Sequence, residues 1–303
     1  MLYFPTVILM KNRLQGILSL LFATVIWGSA FIAQSVGMEH IGPFTFQMIR
    51  CVLAVLFLLP ISFVFDNGNL KEFTAKWQDP HLWKAGILCG LALFLAASLQ
   101  QVGLVYTDTG KAGFITAMYI VLVPLLGLLF KQKPPRSTFL SVALAVAGLY
   151  LLSCLGVSEI NKGDLYMIGC ALAYAVQITC VDRLAQGLDG VRLNCIQALV
   201  VTVLSAPFMF LTESVEIHNI LNCWLPLCYA GVLSMGVAYT LQILGQQKLE
   251  PTPAALIMSL ESVIAALCGW LILQETMTTI ELLGCVLVFA AVVISQLPDK
   301  IRK

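Results

Sequence analysis

The chain has 303 residues, 59% of them hydrophobic and only 11% charged, with a mean hydropathy of +0.92. Soluble globular domains carry about 25% charged residues, so the composition excludes water as the natural solvent and points to lipid. A net charge of +1, with basic residues placed singly in short loops, speaks against a nucleic-acid partner.

Residues Met1 to Met10 are apolar and precede Lys11 and Arg13, the reverse of the order in a secretory signal peptide. Residues 1–10 therefore read as a disordered N-terminal extension, with Met10 an alternative start. Ten apolar runs of about 20 residues follow, each long enough to cross a bilayer as a helix. They lie near 14–35, 43–65, 82–106, 110–130, 136–155, 164–184, 191–212, 222–246, 252–273 and 279–297. The longest connection, Asp66 to His81, is too short for a soluble domain. Pro124 is expected to kink the fourth run. Pro251 and Pro253 suit the first turn of the ninth, and Thr278-x-x-Glu281 reads as a capping box opening the tenth.

With the N-terminus placed inside, fourteen Lys and Arg residues fall on the inner side, in loops, termini or span ends, against only Lys111 and Lys162 on the outer side; Arg50 lies well within a span. The positive-inside bias then predicts that both termini are cytoplasmic and the span number is even. The expected setting is the cytoplasmic membrane of a bacterial cell.

The two halves repeat. Gly16 and Gly163, Trp27 and Tyr174, and Pro60 and Pro207 are spaced by 147 residues. Further on the spacing is 142, relating Leu99-Gln100-x-x-Gly103 to Leu241-Gln242-x-x-Gly245. The same spacing relates Asp108 to Glu250, Gln132 to Gln274 and Tyr119 to Glu261. Five spans per half is an odd number, so the second half must enter the membrane upside down. The expected fold is thus all-α: ten transmembrane helices in two inverted five-helix repeats, 11–156 and 157–298, with a cytoplasmic tail at 299–303. Inverted repeats characterise secondary transporters, whose site lies at the repeat interface near the midplane.

The run Trp27-Gly28-Ser29-Ala30-Phe31, Arg50 in the second span, Leu260-Glu261-Ser262-Val263 in the ninth and Glu275 after it together resemble the drug/metabolite transporter superfamily, in its EamA-type ten-helix branch. The family usually has Pro where this chain has Ser262. The resemblance covers the chain from about Lys11 onward. It implies cytoplasmic termini, a central site, and transport of small organic solutes; members handle amino acids, sugars, nucleotide sugars, cations and drugs.

Polar groups inside a bilayer are costly and so mark sites worth testing. Glu261 is mid-span and reads either as a proton-accepting or amine-binding carboxylate, or as a structural hydrogen bond; the two readings stay open. Arg50 lies about 10 Å into its span, at 1.5 Å per residue, so it reads first as a snorkelling anchor or helix-pairing charge. Its repeat mate is Gln197. Charge pairing or coupling through Arg50 and Glu261 is a second reading. Trp27, Gln100, Tyr119, Tyr174, Gln177, Tyr239 and Gln242, with Gln34 and Gln246 on the same helix faces, suit a substrate cavity of flat apolar walls and a few hydrogen bonds. Taken singly, each is better explained as an interhelical hydrogen bond.

The ten cysteines are scattered, and no metal, cofactor or redox spacing occurs. His40, His81 and His218 fall in predicted loops and no nucleophile or paired-aspartate pattern appears, so an enzyme is not expected. Ser141 and Ala145 form a small-residue face that could pack a neighbouring helix or a second subunit. The expected partners are the bilayer and a small solute: an amino acid, an amine or a drug-like compound. Polyanions are disfavoured, because Arg50 is the one basic residue well inside a span. A passive channel remains an alternative from sequence alone.

Overall fold

The computed structural model describes residues 3–107, 109–131, 136–153, 161–272 and 277–296. Asp108, Gln132, Cys154, Gln274, Glu275 and the 299–303 tail fall outside them. Every regular element among the described residues is helical. The first three spans are α1 (Tyr3–Met38), α2 (Pro43–Phe65) and α4 (Pro80–Leu104), with a short α3 (Leu70–Trp77) before α4. The fourth is split into α5 (Thr109–Ala117) and α6 (Tyr119–Leu129), and the fifth is α7 (Arg136–Ser153). The second half opens with α8 (Lys162–Leu184) and α9 (Gly190–Thr212). Its eighth span joins α11 (Trp224–Cys228), a π-helical stretch (Tyr229–Ala238) and α12 (Tyr239–Gln246), after a short α10 (Ile217–Asn222). The ninth is split into α13 (Pro251–Met258) and α14 (Leu260–Ile272), and the tenth is α15 (Thr279–Gln296). Nine of these stretches are long and apolar enough to cross a membrane, and Thr138–Leu152 is a shorter apolar helix within α7.

Local chemistry sets the helix starts. Pro43, Pro80 and Pro251 stand in first turns, where the missing N–H leaves nothing unpaired. Asn161 and Asp164 form a capping box on α8, and Thr278 with Glu281 forms the expected one on α15. Residues 3–10, read from sequence as an extension, are described as the first turns of α1; Pro5 sits at its start and no further Gly or Pro occurs before Gly16. In the long loop, α3 forms because Asn69 caps it, accepting from the backbone N–H groups of Lys71 (3.1 Å) and Glu72 (3.4 Å).

The early part of α1 and the end of α15 meet on one face, where Arg13 Nη2 donates to the Gln296 carbonyl at 2.8 Å. We call this the terminal face and its opposite the distal face. At the terminal face α1 meets the end of α12 so closely that a Cβ on Gly16 would lie 3.2 Å from the Gly245 carbonyl oxygen. At the distal face α8 meets the end of α4 in the same way, and a Cβ on Gly163 would lie 2.7 Å from the Gly103 carbonyl oxygen. Gly16 and Gly163 are repeat mates, as are Gly103 and Gly245. One contact is thus built twice, at opposite faces, which is what two inverted halves require. The pairs α2 with α9 and α7 with α15 pack each span against its own repeat mate. Ser141 and Ala145 are fully buried inside the chain, so their small face is already covered.

The repeat explains the π-helix. Trp83 and Trp224, and Gly90 and Gly231, are 141 residues apart, whereas Gln100 and Gln242 are 142 apart. The second half holds one extra residue between these points, and the wide turns of Tyr229–Ala238 absorb it. Such turns leave carbonyls short of partners. Asn194 supplies them: its Nδ2 donates to Met235 O at 2.9 Å, Gly236 O at 3.0 Å and Thr240 Oγ1 at 3.0 Å. Outward faces carry exposed Phe22, Leu95, Leu129, Leu211 and Phe289, a lipid-facing surface that water would not tolerate.

Candidate functional site

The fourth and ninth spans are each interrupted once, at Met118 and Ser259; Tyr119 follows its break directly and Glu261 follows two residues on. The break in the fourth span precedes Pro124 by six residues, so the proline is not its cause. The break in the ninth forms although Ser262 replaces the usual proline. Tyr119 OH donates to Glu261 Oε1 at 3.2 Å across 142 residues of sequence. A residue touching its own repeat mate lies on the pseudo-two-fold axis, so Glu261 marks the centre of the molecule. It is 8% exposed and occupies the first turn of α14, where the helix dipole favours negative charge.

Around this pair lies a cavity of about 490 Å³, open space at its mouth included. Its aromatic wall is Trp27, Phe31, Tyr174 and Tyr239, with Trp27 edge-on to Tyr239 at 4.9 Å between centroids. Tyr174 OH donates to Gln100 Oε1 at 3.2 Å and lies 3.2 Å from Tyr239 OH. Gln242 Nε2 donates to Gln177 Oε1 at 3.1 Å and to Gln246 Oε1 at 3.0 Å. Three lining side chains carry a buried polar atom with no partner among the described residues: Trp27 Nε1, Arg50 Nε and Gln242 Oε1. Of the nine orphaned buried polar atoms among the described residues, these three border one space, where a polar solute can satisfy them.

The first-span motif acts as a unit. Trp27 and Phe31, one turn apart, line the cavity. Gly28 lets α14 approach, since a Cβ there would lie 2.6 Å from Ile264 Cβ. Ser29 Oγ lies 2.5 Å from Tyr229 OH, tying α1 to the π-helix, and Ala30 is fully buried.

Seven expected substrate residues meet at the cavity: Trp27, Gln100, Tyr119, Tyr174, Tyr239, Gln242 and Glu261. Gln177 does not line it; with Gln246 it forms the hydrogen-bonded layer behind Gln242. Arg50 is corrected. It does not snorkel to the interface but is 4% exposed and lines the cavity, its Nη1 donating to Gln34 Oε1 at 3.0 Å. Gln34 had already fitted the Trp27 face. Sequence reasoning passed over Phe31, which the i, i+4 spacing from Trp27 would have found, and Ser234, whose direction depends on the π-helix. No group of three or more His, Cys, Asp or Glu able to hold a metal occurs among the described residues.

Comparison with known proteins agrees with this architecture. The sequence matches the EamA-like transporter family twice, over residues 14–154 and 161–296, which are the two halves. An uncharacterised transporter of Archaeoglobus fulgidus is 33% identical over 289 residues, covering 94% of this chain and 87% of that protein. The threonine/homoserine exporter RhtA of Escherichia coli K12 is 28% identical over 275 residues, covering 88% of this chain and 85% of the exporter. A crystal structure matches with a TM-score of 0.78 at 16% identity, covering 97% of this chain and 99% of its own, a likeness of fold alone. Two family matches that together span nearly the whole chain, a relative at 33% identity and a doubled five-helix fold leave one conclusion: the chain is a multi-pass membrane transporter, not an enzyme, and belongs to the EamA-like transporter family.

Proposed function

We propose that the chain is a secondary carrier of a small organic metabolite, an amino acid or amine, working by alternating access in the cytoplasmic membrane with both termini inside. The observation that carries this reading is Glu261: a carboxylate on the repeat axis, in a half-buried chamber of aromatic and amide side chains. Inverted halves can exchange conformations, and a site on their axis then faces each side in turn. The positive-inside charge distribution supports the orientation. The likeness to threonine/homoserine exporters supports a small zwitterion as cargo.

Glu261 also supplies a coupling group. A carboxylate that accepts a proton on one side and releases it on the other links solute movement to the proton gradient. Two measurements in proteoliposomes test these points. Counterflow of radiolabelled amino acids and amines should show trans-stimulation, which a passive channel does not give. Glu261→Gln should abolish transport driven by a pH gradient; a mutant that keeps the full pH response removes Glu261 from the coupling mechanism.

A further inference from the structure

Arg50 and Glu261 border one cavity and carry opposite charge, yet they do not pair. Among the described residues no carboxylate oxygen lies within 4.0 Å of the Arg50 guanidinium. Among the described residues the fully buried Arg192 is matched by Asp66 and Asp189, and the part-buried Lys111 by Asp164 at 2.6 Å. A buried unmatched cation is costly, so its retention asks for a partner that arrives from outside. The guanidinium is also held ready. Gln34 Oε1 accepts from Nη1 at 3.0 Å, the Gln34 amide donates to Ala30 O at 3.4 Å, and the Phe46 ring stands 6.0 Å from the guanidinium carbon. Its Nε is buried and unpartnered. At the repeat-related position, Gln197 is closed off by an amide, its Oε1 accepting from Gln177 Nε2 at 3.3 Å. The first half therefore places a cation at the cavity where the second half places a neutral amide, bonded through its oxygen to Gln177.

We propose that Arg50 is a carboxylate-binding subsite, so that the solute is a zwitterion of the α-amino-acid type, its carboxylate on Arg50 and its ammonium on Glu261. This rests on the carrier reading above and narrows it: a plain amine satisfies Glu261 but leaves Arg50 unmatched, whereas a zwitterion matches both and adds no net charge. Arg suits the task because its planar fork meets a carboxylate through two parallel hydrogen bonds. Gln34 acts as a positioning residue by orienting the fork.

Ligand binding by the purified full-length protein in detergent tests the assignment. The probes are a mixture of L-amino acids and, separately, the amines that decarboxylation of the same compounds would give, read by thermal stabilisation. The wild type should prefer the amino acids. Arg50→Gln should weaken them roughly 10- to 100-fold, the scale for losing hydrogen bonds between charged groups, and so reverse the preference toward amines. Arg50→Lys keeps the charge without the fork and should fall between. Gln34→Leu frees the fork and should weaken amino acids more than amines, giving a readout if Arg50→Gln does not fold. Equal loss of both mixtures in the Arg50 variants, or an unchanged preference in all of them, overturns the subsite. A wild type stabilised by amines alone also overturns it while leaving the carrier intact. A wild type that responds to neither mixture and shows no counterflow overturns the carrier reading itself.

Discussion

The helices α2 and α9 are repeat mates packed against each other, and they are joined differently at their two ends. Asp66 and Glu213, at the ends of the two helices, are 147 residues apart, as are Thr45 and Arg192 at their starts. At the terminal face Arg192, fully buried, pairs with both Asp66 and Asp189, and its guanidinium stands 5.8 Å from the Phe73 ring and 6.0 Å from the Trp77 ring. At the distal face the arginine position is Thr45, and the Glu213 carboxylate caps α2. Glu213 accepts from Phe44 N at 2.8 Å, Thr45 N at 2.8 Å and Thr45 Oγ1 at 2.6 Å. Gly42 makes room, since a Cβ there would lie 2.2 Å from Glu213 Cδ. One joint is a buried ion cluster and the other a helix cap. The repeat conserves a carboxylate at each joint but not its partner, so the two faces are tied with unequal strength.

Arg192→Met should break that inequality with the largest effect. It leaves Asp66 and Asp189 without their shared cation, and removing one partner of a buried pair costs roughly 3–5 kcal/mol. A marked fall in the thermal midpoint of the detergent-purified protein is expected. A midpoint no lower than that of a Glu213 variant would show that the cluster is not the stronger tie. Glu213→Ala should come next, at roughly 0.5–2 kcal/mol, the scale for losing a helix cap. Glu213→Gln keeps the acceptor without the charge and should fall between parent and alanine; equal midpoints for Gln and Ala would assign the whole effect to charge at the α2 terminus.

How far these features could be read from sequence depends on whether one residue or several elements create them. The ten spans are legible because each is its own apolar run, and Glu261, Tyr119 and Gln242 are legible because polarity inside such a run is rare. The spacing of 147 already related Pro60 to Pro207. What sequence did not reveal needs two elements at once. The Arg192 and Asp66 cluster joins positions 126 residues apart, one at the start of a predicted span and one in a predicted loop, where single charges are ordinary. Arg50 looked like an anchor because depth along one helix does not say which way the side chain turns; packing against Gln34 turns it inward. The π-helix is hidden in a spacing that slips from 141 to 142, a signal visible only once the contacts of Gly90 and Gly231 are known.

The smallest expected effects concern the rim of the terminal cluster. Lys76, nearly half exposed, bonds Asp66 at 2.6 Å and Glu72 at 2.7 Å. The Lys76 hydrogen bond, aided by Arg192, holds the Asp66 carboxyl below the usual carboxylate range against the opposing effect of burial. A carboxyl lowered by folding stabilises the fold above its unfolded value, near 3.9, and that stability is lost as pH falls through the lowered folded value. The thermal midpoint should therefore drop on acidification below about pH 4, and Asp66→Asn should flatten that limb. Lys76→Met should leave the midpoint at pH 7 close to the parent, because an exposed ion pair contributes little against solvent screening. It should nonetheless shift the acid limb toward higher pH, since Asp66 then protonates more readily. A Lys76 variant with the parent's acid limb would show that Arg192 alone holds Asp66 ionised, and the terminal joint would then be a closed three-residue cluster with Lys76 outside it.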